Sequence, residues 1–447
     1  MNASASQTAE IHDISEAASV PHVQRHNFLV MAFYQISLRC GWIFKTESIV
    51  MPAFLDALGV SAWVRGFLPL FNRFGQSVPP MLLASSVAGT KQKKTTVMIT
   101  MLLFAVSFFA IAFIWNLYAE EAWMPAVFLL IYALFFMVVG VHNLAARSVQ
   151  GKLIRANRRG RLMLAGNVGG AIASVSLAYW LFPKWLPADG SHDFFGMFSF
   201  AGIMFVVCAF IAVVVIEPKD PQRKATQHLS NAIQDAKRTF REDPRFRRIA
   251  LIGALTNTSI MLFPHYQPIA KEYLHLSLDN LMPWVIAQNL GMAVFSMILG
   301  PIADLKGNRA VIRLLLIVMI ATPLLALFLI QQPWGGKLYW VVFVLVGMTP
   351  FSIGILFNYT LELTESSNHP RYLATLGLVV ALPAALSPVV SYSIDLFGSP
   401  TPLFASVSFL LLIAWVLTFL LPEPRFGEAL PEQQVEVTQS NSVTESE

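Results

Sequence analysis

The sequence predicts an all-α polytopic membrane protein, with twelve transmembrane helices in two pseudo-symmetric six-helix bundles. Three observations predict it. Of 447 residues, 55% are hydrophobic and only 13% charged, against about 25% charged in an average soluble domain, and the mean hydropathy is +0.59. The apolar residues fall into twelve runs, each near the ~20 residues that a helix needs to cross hydrocarbon. One polar stretch divides the runs six and six, and lysine and arginine crowd into alternate loops.

Residues 1–25 are rich in Ala, Ser, Glu and Asp and lack the basic start and apolar centre of a secretory signal, which predicts a cytoplasmic tail. The first bundle, 26–217, holds spans at 27–52, 65–87, 95–117, 123–146, 161–183 and 196–217. Residues 218–247 form a cytoplasmic linker. Within it Leu229, Ile233, Ala236 and Phe240 recur at helical spacing beside Lys237, Arg238 and Arg241, which predicts an amphipathic helix lying on the bilayer or the bundle. The second bundle, 248–422, holds spans at 248–270, 281–303, 309–331, 338–361, 372–396 and 400–421. Residues 423–447 read as an acidic disordered tail.

Orientation follows from the basic loops. Lys91, Lys93 and Lys94 fall on one side with Arg147, Lys152, Arg155, Arg158, Arg159 and Arg161, and so do Lys306, Arg309, Arg313 and Arg371. The other loops hold little beyond Arg65, Lys184, Lys271 and Lys337. Both termini are therefore expected in the cytoplasm, in a multi-pass protein of the cell (inner) membrane. The net charge of +5 lies in loops and speaks of topology, not nucleic acid.

Several chemistries are disfavoured. Cys40 and Cys208 both lie inside apolar runs and suggest neither a disulfide framework nor a zinc site. There is no phosphate-binding Gly-x-x-x-x-Gly-Lys loop, no His-Glu-x-x-His helix and no Gly-x-Ser-x-Gly elbow. ATP hydrolysis and enzyme activity are not expected, nor any cofactor, and the partners expected are a small-molecule substrate and the lipid bilayer around a monomer.

The two halves read as repeats. Pro52 and Gly75 recur as Pro268 and Gly291 at identical spacing, and His142-Asn143 falls at the same offset from Asn358-Tyr359. The most specific motif is the hinge Gly300-Pro-Ile-Ala-Asp304-Leu-Lys-Gly307-Asn-Arg309 between spans 8 and 9. Gly300 suits a close helix approach in lipid, Gly307 suits a turn with positive φ, and Lys306 with Arg309 hold the loop on the cytoplasmic side. The hinge resembles the signature of the major facilitator superfamily, matching it at Gly300, Ala303, Asp304, Gly307 and Arg309, with Asn308 where the family has a first arginine. In the first half the motif has decayed to Leu82, Ser86, Gly89 and Lys91. The resemblance implies a gate in which Asp304 stabilises the outward-facing state, with Glu362 and Arg371 in its network. It also implies that spans 1, 4, 7 and 10 line a central cavity, which brings in His142, Asn143, Asn257, His265, Asn358 and Tyr359.

An ionisable group inside the bilayer is costly and marks function. Span 1 carries Arg39, Lys45 and Glu47, and span 2 adds Arg73. Two roles stay open for each: contact with substrate, or mutual neutralisation such as Glu47 with Arg73 or Lys45. His265, in the Pro264-His265-Tyr266-Gln267-Pro268 stretch of span 7, is a candidate proton site. The expected function is secondary active transport of a small anionic solute by alternating access, coupled to protons through Glu47. The alternatives are a neutral, sugar-like solute held by Asn143, Asn257, Gln288, Asn289 and Asn358, or drug efflux. Span 5 lacks the glycine-proline pattern of the drug-antiporter branch. A reading of another class is a membrane sensor or assembly protein that kept the fold and lost transport.

Overall fold

In the computed structural model, residues 21–187, 192–220, 229–364 and 368–423 are described. Among them the chain is helical, and the twelve expected spans all fall on helical stretches. Eight stretches are long and apolar enough to cross a membrane by length and composition, and one of these, Leu278–Leu329, carries both span 8 and span 9.

Span 1 is built in pieces. Helix α1, Pro21–Trp42, passes through a 3-10 turn at Ile43–Lys45 into α2, Val50–Ala57. The helix starts within the expected tail, because residues 21–25 already follow helical geometry; residues 1–20 lie outside the described residues. Lys45 and Glu47 sit at the break, where regular hydrogen bonding lapses and Thr46 O accepts from the N–H groups of Ile49, Val50 and Met51. Span 7 repeats the device: α10, Pro244–Asn257, meets a 3-10 stretch at Thr258–Leu262 and continues as α11, Phe263–Leu274. Pro264 enters at the start of α11, where its missing N–H costs nothing.

The rest of the first half comprises α3, Ala62–Arg65; α4, Phe67–Ala88; α5, Lys93–Tyr118; α6, Met124–Leu153; α7, Ala156–Trp185; and α8, Phe194–Val214. Its interior is aromatic. Phe104 and Phe135 lie 4.8 Å apart, Phe54 and Phe128 4.9 Å, and Phe108 meets Phe205 edge-on at 5.3 Å, contacts worth roughly 0.5–1.5 kcal/mol each beyond area burial. Outward, Phe33, Val106, Leu117, Leu130 and Phe210 are exposed, as a lipid-facing surface requires.

The linker helix α9, Leu229–Glu242, packs against the bundle at α16, His369–Ala381. Thr239 is buried while Lys237, Arg238 and Arg241 are exposed. Beyond α10 and α11 the second half continues with α12, Leu281–Leu329; α13, Gly335–Leu338; α14, Trp340–Val346; α15, Thr349–Glu362; α16; α17, Ser387–Phe397; and α18, Thr401–Leu417. Within α12 the two expected spans meet at Gly307, whose φ of 80° and ψ of 163° leave the helical region, a conformation that strains any residue with a Cβ.

The paired glycines perform matching work in the two halves. A Cβ on Gly75 would lie 2.5 Å from the carbonyl carbon of Phe136, so α4 and α6 touch backbone to backbone there. A Cβ on Gly291 would lie 2.1 Å from Val344 O, which brings α12 against α14 in the same way. Gly300 differs from expectation, since a Cβ there would meet open space. The close helix approach lies more than two turns earlier, at Gly291.

Candidate functional site

Glu47, at the break in span 1, is enclosed by donors. Lys45 Nζ lies 3.3 Å from Oε1, Tyr132 donates its hydroxyl to Oε1 at 2.7 Å, and Asn72 donates to both oxygens at 2.6 Å. Behind Asn72, Gln76 donates to its side-chain carbonyl, and Asn143 donates to Gln76 at 3.4 Å. Lys45 stands 4.3 Å from the ring centre of Phe136 and 4.5 Å from that of Trp42, which adds cation–π attraction in a desolvated setting. The two expected partners of Glu47 are thereby separated: Lys45 is taken and Arg73 is not.

Among the described residues Arg39 and Arg73 make no ion pair with a carboxylate. Arg39 donates to Asn167 Oδ1 at 3.1 Å and to the thioether of Met292 at 3.0 Å, the first in α7 and the second across the interface in the second half. Gly170 makes the room, since a Cβ there would lie 2.6 Å from Arg39 Cδ. Arg73 Nε is buried without a hydrogen-bond partner. Among the described residues neither guanidinium forms an ion pair. Ser77, one turn from Arg73 on the same face, donates to Gly377 O of α16 at 3.5 Å, so this face of α4 looks toward the second half.

The amides proposed for a neutral solute are mostly engaged. Asn257 donates to Val380 O at 2.8 Å, Asn289 to Val285 O at 2.8 Å, and Gln288 accepts from Ser48 at 2.7 Å, the last joining the halves. Asn358 is exposed. His142 lies inside the first half, held between the hydroxyls of Tyr34 at 3.0 Å and Thr100 at 2.9 Å, not at the interface. It continues the buried stripe of Tyr132, Phe135 and Val139. Tyr359 is buried too and donates to Pro422 O at 2.6 Å.

His265 lies far from this cluster, at the lysine-poor end, where its Nε2 lies 2.8 Å from Ser391 Oγ of α17. The two halves are closed onto each other there. A Cβ on Gly66 would lie 2.7 Å from Pro388 Cα, Asp395 accepts from the N–H groups of Ala62 and Trp63 at 2.8 and 2.9 Å, and Lys271 Nζ lies 2.5 Å from Asp56 Oδ2. Arg65, 3.4 Å from Asp56, completes the set. The side-chain hydrogen bonds and ion pairs named here between the halves run from mid-depth to this end.

At the basic end each half is tied within itself. Asp304 is exposed and makes no ion pair among the described residues. Asn308 donates to Glu362 at 2.8 Å, and Arg309 Nε lies 3.2 Å from Glu423 Oε2. Arg371 stands at the start of α16 with its Nε buried. Glu423, expected in the tail, belongs to the hinge, because Arg309 fixes it beside Gly307; residues 424–447 lie outside the described residues. The first half has a counterpart in Glu217, which accepts from the N–H groups of Lys93 and Lys94 at 3.1 and 2.7 Å and faces Lys152 Nζ at 3.3 Å, neutralising orphan donors at the start of α5. Burial raises the pKa of Asp220, but hydrogen bonds from Lys152 and Lys93 outweigh it and hold the carboxyl below the usual range. Both glutamates precede a proline just after spans 6 and 12, a repeated Glu-Pro that was available in the sequence and was missed.

Comparison with known proteins agrees with this architecture. No curated protein sequence matches the chain. By structure it resembles the nucleoside transporter NupG (TM-score 0.65, 11% identity, covering 88% of this chain and 97% of that one). It also resembles a D-xylose-proton symporter (0.63, 15%, 91% and 98%) and a bacterial homologue of the human lysosomal transporter Spinster, inward-facing and unoccupied (0.61, 13%, 90% and 97%). At these identities the likeness shows the fold alone. The sequence profile of the Major Facilitator Superfamily matches residues 92–288 and again 249–443, and with the repeated halves and the hinge at Gly307 the chain belongs to that superfamily of multi-pass membrane transporters.

Proposed function

We propose that the protein is a secondary active transporter of a small organic anion, with both termini in the cytoplasm of a cell whose inner membrane it crosses, and with bundles at 26–217 and 248–422. The observation that carries the reading is the pair of guanidiniums, Arg39 at the contact with the second half and Arg73 with its buried Nε unbonded, neither of which makes an ion pair among the described residues. An unpaired cation away from water attracts a counter-ion strongly, by about 4 kcal/mol at 4 Å with an effective dielectric near 20. The engagement of Asn257 and Asn289 with backbone carbonyls weighs against a neutral solute. Glu47 is the candidate for proton coupling: taking up a proton would dissolve its ion pair with Lys45 and free a cation.

In this orientation the closed lysine-poor end faces outward, so the structure is the inward-facing member of an alternating-access pair. The exposed Asp304 fits that state, since its latch belongs to the opposite one. Equilibrium binding to Arg39→Gln with matched anionic and neutral compounds tests the reading. Anions should bind the parent and lose about tenfold or more in the variant, one charge-assisted pair being worth ~1.5–3 kcal/mol. Neutral compounds that bind the parent without competition from any anion overturn it.

A further inference from the structure

The buried charges also number the charges on the solute, an inference that rests on the anion reading above. Four ionisable groups stand at mid-depth in the first half: Arg39, Lys45 and Arg73 against Glu47. With Glu47 ionised, Lys45 and Glu47 form a pair of zero net charge. Oε1 of Glu47 accepts from Lys45, Asn72 and Tyr132 and Oε2 from Asn72, and its single negative charge offsets only one of the three cations. Two positive charges remain. Guanidinium groups keep their charge in proteins, so the excess cannot be relieved by losing a proton. From the second half Met292 reaches Arg39, and the Gly377 carbonyl accepts from Ser77, one turn from Arg73; both groups are neutral. One anionic group leaves one guanidinium uncompensated; two leave none.

The positions set the shape. Arg39 lies in α1, about one turn before the 3-10 break at Ile43–Lys45, and Glu47 lies beyond that break. Arg73 adjoins Asn72, which donates to Glu47, and so begins near the depth of Glu47. The two guanidiniums therefore stand at different depths, Arg39 before the break in span 1 and Arg73 near the depth of Glu47 beyond it. We propose that the solute is an extended dianion, one anionic end on Arg39 and the other on Arg73, with the thioether of Met292 and Asn167 as place-holders that the first end displaces.

The test uses the full chain in detergent and three series of probes at matched lengths of four to eight carbons: α,ω-dicarboxylates, monocarboxylates and uncharged diols, with glycerol phosphate as a compact dianion. Binding is read by isothermal titration. At least one dicarboxylate should bind the parent tenfold or more tighter than the monocarboxylate of the same length and than glycerol phosphate. Arg39→Gln and Arg73→Gln should each bring the dicarboxylate down to the monocarboxylate's affinity. Monocarboxylates or glycerol phosphate binding as tightly as the best dicarboxylate overturn the extended dianion and leave the anion reading standing. Diols binding while no acid competes overturn both, and no binding by any dicarboxylate overturns the proposal. If a glutamine variant does not fold, the parent's ratio of dicarboxylate to monocarboxylate affinity decides alone.

Discussion

Lys271 Nζ lies 2.5 Å from Asp56 Oδ2, a contact between residues 215 positions apart that ties the lysine-poor end of span 7 to that of span 1. Beside it Asp395 caps the start of α3. Lys271 is 43% exposed at its side chain, so the pair is worth at most about 1 kcal/mol, and the charge on Asp395 adds roughly 0.3–1 kcal/mol. Lys271→Met and Asp395→Asn together should raise the population open at this end several-fold. The readout is labelling of a Ser391→Cys reporter by a membrane-impermeant maleimide, and unchanged labelling would show that these contacts do not hold the end shut.

Gly291→Ala places a methyl 2.1 Å from Val344 O, in backbone that cannot step aside. It should cost ~1–3 kcal/mol by overpacking and lower the melting temperature in detergent. Gly300→Ala meets open space and should be neutral, or stabilising by up to about 1 kcal/mol from helix propensity. Equal destabilisation by the two would contradict the placement of the close contact.

Asp304→Asn should shift the equilibrium between states by ~1–3 kcal/mol toward the form closed at the lysine-poor end, depressing transport more than substrate binding. Ser86→Ala, at the corresponding position of the first half, should do much less. Matching losses of transport would rule out an asymmetric latch.

Asp220 supplies a pH prediction. Its pKa is held low by Lys152 and Lys93 against the effect of burial, so its contribution to the clamp on α5 is fully present above the ordinary carboxylate pKa of about 3.9 and fades as pH falls through the lowered folded value. Protease nicking of the loop around Lys91 should stay constant from pH 8 to about 5. In Lys93→Met the weakening should set in at higher pH, and an unmoved profile would remove Lys93 as the cause.

The apolar helices, the helix at Leu229–Glu242 and the turn at Gly307 were legible because each is local: run length, spacing and one glycine suffice. The charges of spans 1 and 2 were legible as a set, since no lipid-facing helix tolerates them, but their pairing was not. Glu47 selects Lys45 because the break at Ile43–Lys45 folds the two side chains together, and a straight helix at 100° per residue hides that. The resemblance implies a cavity role for His142 through its span, and does not say which face of the span it takes; its spacing from the buried Tyr132, Phe135 and Val139 fits the place it occupies between Tyr34 and Thr100. The closure at the lysine-poor end was illegible, being made by Asp56, Gly66, Lys271 and Asp395, which only the fold brings together.

That closure is reciprocal. The first half lends the acid Asp56 to a lysine of the second, and the second lends the acid Asp395 to backbone of the first. A tilt that breaks one contact lifts the other off its partner in the same movement, so partial opening forfeits both attractions and gains little water for either. The barrier is thus concentrated in a single concerted step, and the end should behave as a two-position catch, with few molecules at intermediate widths.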